Sequence, residues 1–554
     1  MTKRSRRWII GIGSIGIIAL ALFLLFDGIV KNRMERVIAE AAGPGYTVRI
    51  GSVSTHLFAG TVEVRDMSLS FDTLRTDSLF RGPKKSLIQV EAARLTVTGL
   101  SYRDLFRHNT VVVNAVDLER PRIRHFFRPM NDTLAAVEQE RNDTARKELP
   151  PLIAIDTVRV LRAEGSAHDV SGRHANASVE ELDILLGGVV VVPKRADGGI
   201  SVRMRSATVT ARGVAAAVPP IYDLRLERIH LMHPAGIARV TGASFVPRVS
   251  EMEYGRELEY ETDLFDARVD TIRVMGIDVA RFLSQQEFHV RRADLHAPVL
   301  RIHRDKSMPD GPFVYKRLPA SGLRHMGTFV HVDSVLLHNA TVAYNERIEA
   351  GGDYGRVSFT AMEATMTGFS NAKEFVANGG ALQVDATASI QERSRIEVNY
   401  SAPLSSARDE FTVRARLHQL PFSTFNRMTD SLLEVKVNSG RIHWLDMKMR
   451  GDNDAADGTL DLHYEDLEVE IRAVNDDGAA RWLVNNAAKA LVRSTNMPGD
   501  KRYRQGTFHV VRRKDRAVFN YLWRGVRFGT LDSMVPGFLS RYAAEKANKK
   551  AAAR

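Results

Sequence analysis

Cysteine is absent from all 554 residues, which removes disulfide bridges and thiolate metal sites and says little about compartment. The phosphate-binding loop, the G-x-S-x-G turn around a nucleophilic serine and the H-E-x-x-H zinc pair are missing as well. No basic stripe interleaved with aromatics accompanies the net charge of +12, so nucleic acid is not an expected partner. Arg and Lys instead alternate with Asp and Glu through the body of the chain. The excess gathers at the two ends, Lys3 to Arg7 and Lys546 to Arg554, where it suits anionic lipid head groups. With 26% charged residues and a mean hydropathy of -0.20, the bulk reads as folded and water-soluble. No cofactor, no metal and no catalytic residues are expected, and the chain does not read as an enzyme.

Long apolar runs are equally scarce, with one exception. Trp8 to Phe26 carries no charge over 19 residues and follows Lys3, Arg4, Arg6 and Arg7. As a helix it would span about 28 Å, enough for a bilayer core. Trp8, Ile9, Leu20, Leu22, Phe23, Leu24, Leu25 and Phe26 are its anchoring residues, and the basic cluster places the N-terminus in the cytoplasm. A cleavable signal peptide is the competing reading, with Ala19-Leu20-Ala21 as the small-residue site. That tripeptide lies inside the run, which continues to Phe26, so an uncleaved anchor is preferred. Residues 27–42 read as a juxtamembrane helix ended by Gly43-Pro44-Gly45.

Beyond the anchor an eight-residue pattern recurs: apolar-x-apolar-x-x-apolar-x-apolar. Val62, Val64, Met67 and Leu69 fit it, as do Val111, Val113, Val116 and Leu118. Leu224, Leu226, Ile229 and Leu231 repeat it, as do Val330, Val332, Val335 and Leu337. Alternation of period two marks a strand with one buried face. A slip of one residue would turn the second half inside out unless a β-bulge absorbs it. Polar residues fill the slip at Arg65-Asp66, Glu180-Glu181 and Glu227-Arg228. The expected fold is therefore mainly β: a transmembrane helix, then a long, curved, twisted antiparallel sheet forming an apolar groove, with a few short helices. Val111, Val113, Leu118, Phe288, Val290, Leu295, Val332, Val335 and Leu337 are the candidate groove-lining residues. A closed sandwich core would bury the same residues.

Arg94 to Phe127 matches Thr271 to Arg304 without a gap at an offset of 177, with seven identities that include Gly99/Gly276, Asp117/Asp294 and Pro121/Pro298. The same offset relates Asp156-Thr157-Val158 to Asp333-Ser334-Val335. Two polar stretches of equal length, Arg128 to Leu149 and Asp305 to Met326, read as loops or a solvated helix. This is an internal duplication. The expected divisions are a cytoplasmic tail (1–7), the anchor (8–26), the juxtamembrane helix (27–42), a first β-groove part (43–270) and a duplicated part (271–374, matching 94–190). A C-terminal β part (375–534) and a basic helix or tail (535–554) follow. Within the C-terminal part, Val435 to Trp444 is expected to turn at Asn438-Ser439-Gly440, Trp482 to Arg493 has helical spacing, and Gln505 to Trp523 reads as strands.

The polar clusters look ordinary. His230 and His233, three apart on a strand, point to opposite faces; His289, His296 and His303, seven apart, alternate in the same way. Asp452, Asp454 and Asp457 imitate a calcium loop but have Ala456 and Asp457 where a ligand and a glycine are needed, so a polar hairpin tip is expected.

With these features assembled, the chain resembles the AsmA-like family of bacterial envelope proteins, the AsmA/TamB-type repeating β-groove superfamily. The likeness lies in the anchor followed by Val62-Glu63-Val64-Arg65-Asp66-Met67-Ser68-Leu69, and in Leu95-Thr96-Val97 leading to Val116-Asp117-Leu118-Glu119-Arg120-Pro121-Arg122-Ile123. Asn438-Ser439-Gly440-Arg441-Ile442 with Gly458-Thr459-Leu460 extends it, and Arg502 to Trp523 is similar to the closing segment of a related group. The resemblance implies a periplasmic β-groove tethered to the inner membrane, acting in lipid transfer or outer-membrane lipid homeostasis. Its implied partners are the inner membrane, phospholipid or another envelope lipid, and an outer- or inner-membrane protein. A non-enzymatic structural or assembly factor for outer-membrane or secretion components is the alternative, using an exposed sheet edge or the basic C-terminus.

Overall fold

Strands dominate because the alternating apolar pattern gives each one a face to bury. The computed structural model describes residues 45–56, 59–71, 86–101, 103–104, 110–127, 152–169, 175–193, 200–219, 221–250, 258–285, 287–347, 352–433, 435–471 and 492–552, with positions 31, 32, 35, 36, 38 and 39 in helical conformation. The anchor at 8–26, the polar stretch 128–149 and most of the helical spacing at 482–493 lie outside the described residues. Among those described, no helix is long and apolar enough to cross a membrane. The chain divides into two units, Met1–Ala243 and Ser244–Arg554.

The first unit contains β1 (Tyr46–His56), β2 (Thr61–Phe71), β3 (Ser86–Thr98), β4 (Thr110–Glu119), β5 (Arg122–Phe127), β6 (Leu152–Asp169), β7 (Ala175–Pro193), β8 (Ile200–Arg203), β9 (Ser206–Val218) and β10 (Tyr222–His233). β11 (Ile237–Pro247) crosses the division. In the first unit β1, β2 and β3 pair in order, β3 pairs with both β4 and β5, and β6 takes up the other side of that broken strand. β7, β9 and β10 continue the ladder, with β8 beside the end of β7.

The second unit repeats this module. β12 (Asp263–Met275) pairs with β13 (Phe288–His296) and β14 (Val299–Asp305), and β15 (Val330–Arg347) lies on their far side, followed by β16 (Gly355–Ser370). Counterpart residues stand 177 apart at both ends of β3 and β12. Backbone irregularities repeat too: Gly99, Arg120 and Arg162 have φ of 70°, 48° and 52°, and Gly276, Ala297 and Asn339 have 72°, 48° and 51°. β17 (Ala381–Ile390), β18 (Ser394–Pro403), β19 (Phe411–Leu417), β20 (Leu420–Pro421), β21 (Val435–Gly451), β22 (Ala455–Ile471) and β23 (Gly506–Val511) complete the unit, all antiparallel.

The expected all-antiparallel sheet is corrected here. β4 and β5 run parallel to β6, and β13 and β14 run parallel to β15, each pair at an offset of 42 residues. Parallel neighbours need a long crossover. In the second unit the polar stretch after β14 is that crossover and contains α2 (Pro319–Arg324), whereas α1 (Val279–Gln285) precedes β13. β21 also runs unbroken through Asn438-Ser439-Gly440, where a turn was expected. Register shifts around Ser439 and a φ of 119° at Gly440 make it an irregularity within one strand.

The slips in the apolar pattern are built in an unexpected way. A one-sided bulge would shift the register, yet Val179 faces Val214 and Glu181 faces Arg212, which sets Gly213 opposite Glu180; Gly99 stands over Asn114 where the β3–β4 pairing ends. Gly99 is left-handed, and a Cβ there would lie 2.2 Å from the Asn114 amide. Both strands therefore kink together, and the register on either side is preserved. Glu180 lies over Gly213 in the same manner, as do Glu227 over Gly242 and Arg291 over Gly276. Glycine supplies the left-handed conformation and the room for the folded-over side chain.

In the second unit the sheet wraps a helix. The strands expected over Gln505 to Trp523 are limited to β23; α5 (Val518–Met534) takes up the end of that stretch. Phe519, Tyr521 and Trp523 imitate period two. The longer window is helical, with Tyr521, Gly525, Phe528, Gly529 and Asp532 buried along one stripe. The glycines hide the stripe from a hydropathy reading, because a Cβ on Gly529 would come within 2.7 Å of Leu460 Cβ. Along α5, Phe519 meets Tyr344 of β15 with ring centroids 5.6 Å apart, Tyr521 meets Phe411 of β19, and Gly529 abuts Leu460 of β22. Ten helical residues cover about 15 Å. Six strand spacings separate β15 from β22, about 29 Å along a flat sheet. The strands must therefore curl around the helix, and α3 (Lys373–Ala377) and α4 (Asn426–Leu433) decorate the same unit before α6 (Gly537–Ala552) ends it.

Candidate functional site

One register row of the first unit runs through eight strands: Val53, Val64, Leu95, Leu118, Val160, Ile184, Val209 and Leu231, each facing the next. Its exposure changes partway. Val64 and Leu95 are 0% and 5% exposed and share a core with Ile38 and Leu100, whereas every residue from Leu118 to Leu231 is half-exposed. In the neighbouring row Val116, Val158 and Leu186 are half-buried and, like Leu118, pack against that same core. Four strand spacings from Leu118 to Leu231 give an apolar face about 19 Å across. On the opposite face Asp117 and Arg159 pair at 2.7 Å and Thr210 and His230 bond at 3.0 Å, while Leu185, 48% exposed, faces Arg159 and Thr208.

The equivalent row of the second unit starts differently, with Ile272, the counterpart of buried Leu95, half-buried along with Leu295, Leu337, Ala364, Ala386, Val398 and Ala415. It then passes beneath α5, where Met447 is 2% and Leu460 0% exposed. That end is filled by the chain itself.

The nine sequence candidates therefore divide. Val111 and Val113 lie buried in the covered end of the first unit, and Val290 and Val332 in a small buried cluster of the second, against which Val335 packs. Leu118, Leu295, Val335 and Leu337 are half-exposed, and Phe288 is exposed. Val160, Ile184, Val209 and Leu231 belong to the row but not to the candidate set. Ile184 and Leu231 fit the apolar pattern, and only the strand register aligns all four with Leu118.

The histidines need a correction. Val290, Val332 and Val335 share one cluster although an odd step separates the last two, so the kink at Arg291 and Asp333 restores facing. His289 consequently stands beside His331 with centroids 5.5 Å apart, and His296 stacks on His338 at 4.9 Å. The regular alternation assumed for a seven-residue spacing does not hold across a kink. His338 Nδ1 lies 3.1 Å from Glu363, and His331 Nε2 lies 3.0 Å from Asp333. Among the described residues no three His, Asp or Glu side chains are placed to share a metal. At the β21–β22 tip the carboxylates have separate partners: Asp452 with Arg408, Asp454 with Lys514, and Asp457 with His509. Asp452 also accepts from the N–H groups of Asp454 and Ala455 at 2.8 and 3.1 Å.

A buried ionic network closes the second unit beside the start of α5. Arg516 binds Glu261 through two bonds of 2.9 Å and Asp310 through one of 3.0 Å. Arg304 reaches the same Glu261 at 2.5 Å and Asp263 at 3.0 Å. Burial pushes the Asp263 carboxyl up, against the pull of Arg304. Tyr344 donates to Glu346 at 2.6 Å, and burial together with that carboxylate raises its phenol. Every acid in this network has a cation or hydroxyl beside it, so its chemistry is structural.

The outer edge of β23 is closed by side chains. Asn548 of α6 accepts from Val511 N–H at 3.1 Å and donates to the His509 carbonyl at 2.9 Å, and Arg524 of α5 donates to the Val511 carbonyl at 2.6 Å. Burial lowers the Arg524 guanidinium. Strand addition at this edge would have to displace all three bonds. No family model matches the chain, and no curated protein matches it.

Proposed function

We propose that the chain is an inner-membrane-anchored carrier whose first unit shields lipid acyl chains on the face bounded by Leu118 and Leu231, in transfer or outer-membrane lipid homeostasis. The row of half-exposed apolar residues across five adjacent strands carries this reading. Apolar faces of that extent mark binding surfaces. The apolar run at Trp8–Phe26 would tether the chain to the bilayer from which lipid enters, and the resemblance to AsmA-like proteins points the same way.

The energetic logic is simple. Each methylene exposed to water costs about 0.8 kcal/mol, so a two-chain lipid with about 30 methylenes faces about 24 kcal/mol in leaving a bilayer bare. An apolar trough removes most of that cost. A test is lipid extraction from the purified full chain, quantified by mass spectrometry. Wild type and a Thr208→Lys control on the opposite face are expected to retain two-chain lipid, and a Val160→Lys/Val209→Lys variant to lose it several-fold. Equal lipid in all three would overturn the reading.

A further inference from the structure

Helix α6 separates its residues by angle more sharply than a closing helix needs. Ser540, Ala544, Ala547, Asn548 and Ala551 turn inward: Ser540 and Ala551 are buried, Ala544 and Ala547 pack on the core, and Asn548 holds β23. Phe538 and Tyr542, one turn apart, turn outward and are 62% and 68% exposed. Arg541, Lys546, Lys549 and Lys550 surround them, with Glu545 the single acid on that side. Lys549 and Lys550 in the last turn also complement the helix dipole, but a dipole gives no reason for two aromatic rings in water.

We infer that the outward face of α6 docks on an anionic lipid surface, the rings seating at head-group depth and the four cations pairing with lipid phosphates. Aromatic side chains flanked by Lys and Arg on one helix face are suited to that interface. Charge complementarity selects an anionic membrane over a second copy of the chain, since two such faces would repel each other. The inference is independent of lipid carriage by the first unit.

The absence of cysteine allows single-site labelling of the full chain. An environment-sensitive fluorophore at Glu545→Cys is titrated with phosphatidylcholine vesicles with and without phosphatidylglycerol, and a label at Arg393→Cys reports binding through other parts of the chain. The expected result is a several-fold rise at position 545 with anionic vesicles alone, weakened by salt, and an apparent affinity at least about tenfold lower in Phe538→Ser/Tyr542→Ser. The charge variant Lys546→Glu/Lys549→Glu, which leaves the inward face untouched, should lose the response as well. An equal response to neutral vesicles, no effect of either variant, or a signal that tracks protein concentration without vesicles would overturn the proposal.

Discussion

Glu261 shows how single residues hold the second unit shut. Its side chain is almost wholly buried and is shared by Arg304 and Arg516, themselves mostly buried. Glu261→Gln would leave two guanidinium groups without their common carboxylate, and breaking a buried pair from one side costs about 3–5 kcal/mol. Denaturant unfolding monitored by tryptophan fluorescence should show that loss in the second unit. Asp532 makes a pH-dependent contribution. Burial works against its charged form, but Ser540, the Thr507 N–H and Arg504 outweigh it and hold the carboxyl below its ordinary range. The native state then binds fewer protons than the unfolded one. The contribution is complete above the unfolded value of about 3.9 and is lost as pH falls through the lower folded value. Asp532→Asn should be less stable than wild type at neutral pH, with the difference shrinking on acidification in pH-dependent thermal melts.

At the scale of elements, the kinks and the sheet edge are the features most open to test. Ala297 holds a φ of 48°, which is unfavourable for any residue with a Cβ. Ala297→Gly should raise stability by about 1 kcal/mol, and Ala297→Val should lower it by at least as much, in paired urea titrations. Asn548→Ala would strip two backbone groups of β23 of their partners, at about 1–3 kcal/mol, and expose a pairing edge. Light scattering should then show concentration-dependent association that wild type lacks. How much of this was legible follows from the range of each interaction. The apolar-x-apolar-x-x pattern located the kinks because facing is a local property. The parallel β4–β6 pairing was hidden, since alternation along a strand carries no signal of its partner's direction. Helix α5 was hidden because Gly525 and Gly529 sit where apolar residues would have shown its period. Gly99 and Gly276 were noticed as identities, yet their role under Asn114 and Arg291 emerges only when strands are side by side.

Over the whole molecule, one module occurs twice with the same offset, the same kinks and the same parallel pairing, and the copies end differently. In the second unit the row that begins at Ile272 ends under α5, filled by the chain. In the first unit the row is half-buried at Val53, covered at Val64 and Leu95, and half-buried from Leu118 to Leu231. The proposed carriage of lipid is therefore assigned to the first unit. The most direct test places a photocrosslinking amino acid at Ile184, Leu231, Val113 or Thr208 of the full chain in living cells and identifies the adducts by mass spectrometry. Two-chain lipid captured at Ile184 and Leu231, and not at buried Val113 or at Thr208 on the opposite face, is the predicted result. Capture of protein alone at Ile184 and Leu231, or lipid in equal yield at all four positions, would contradict it.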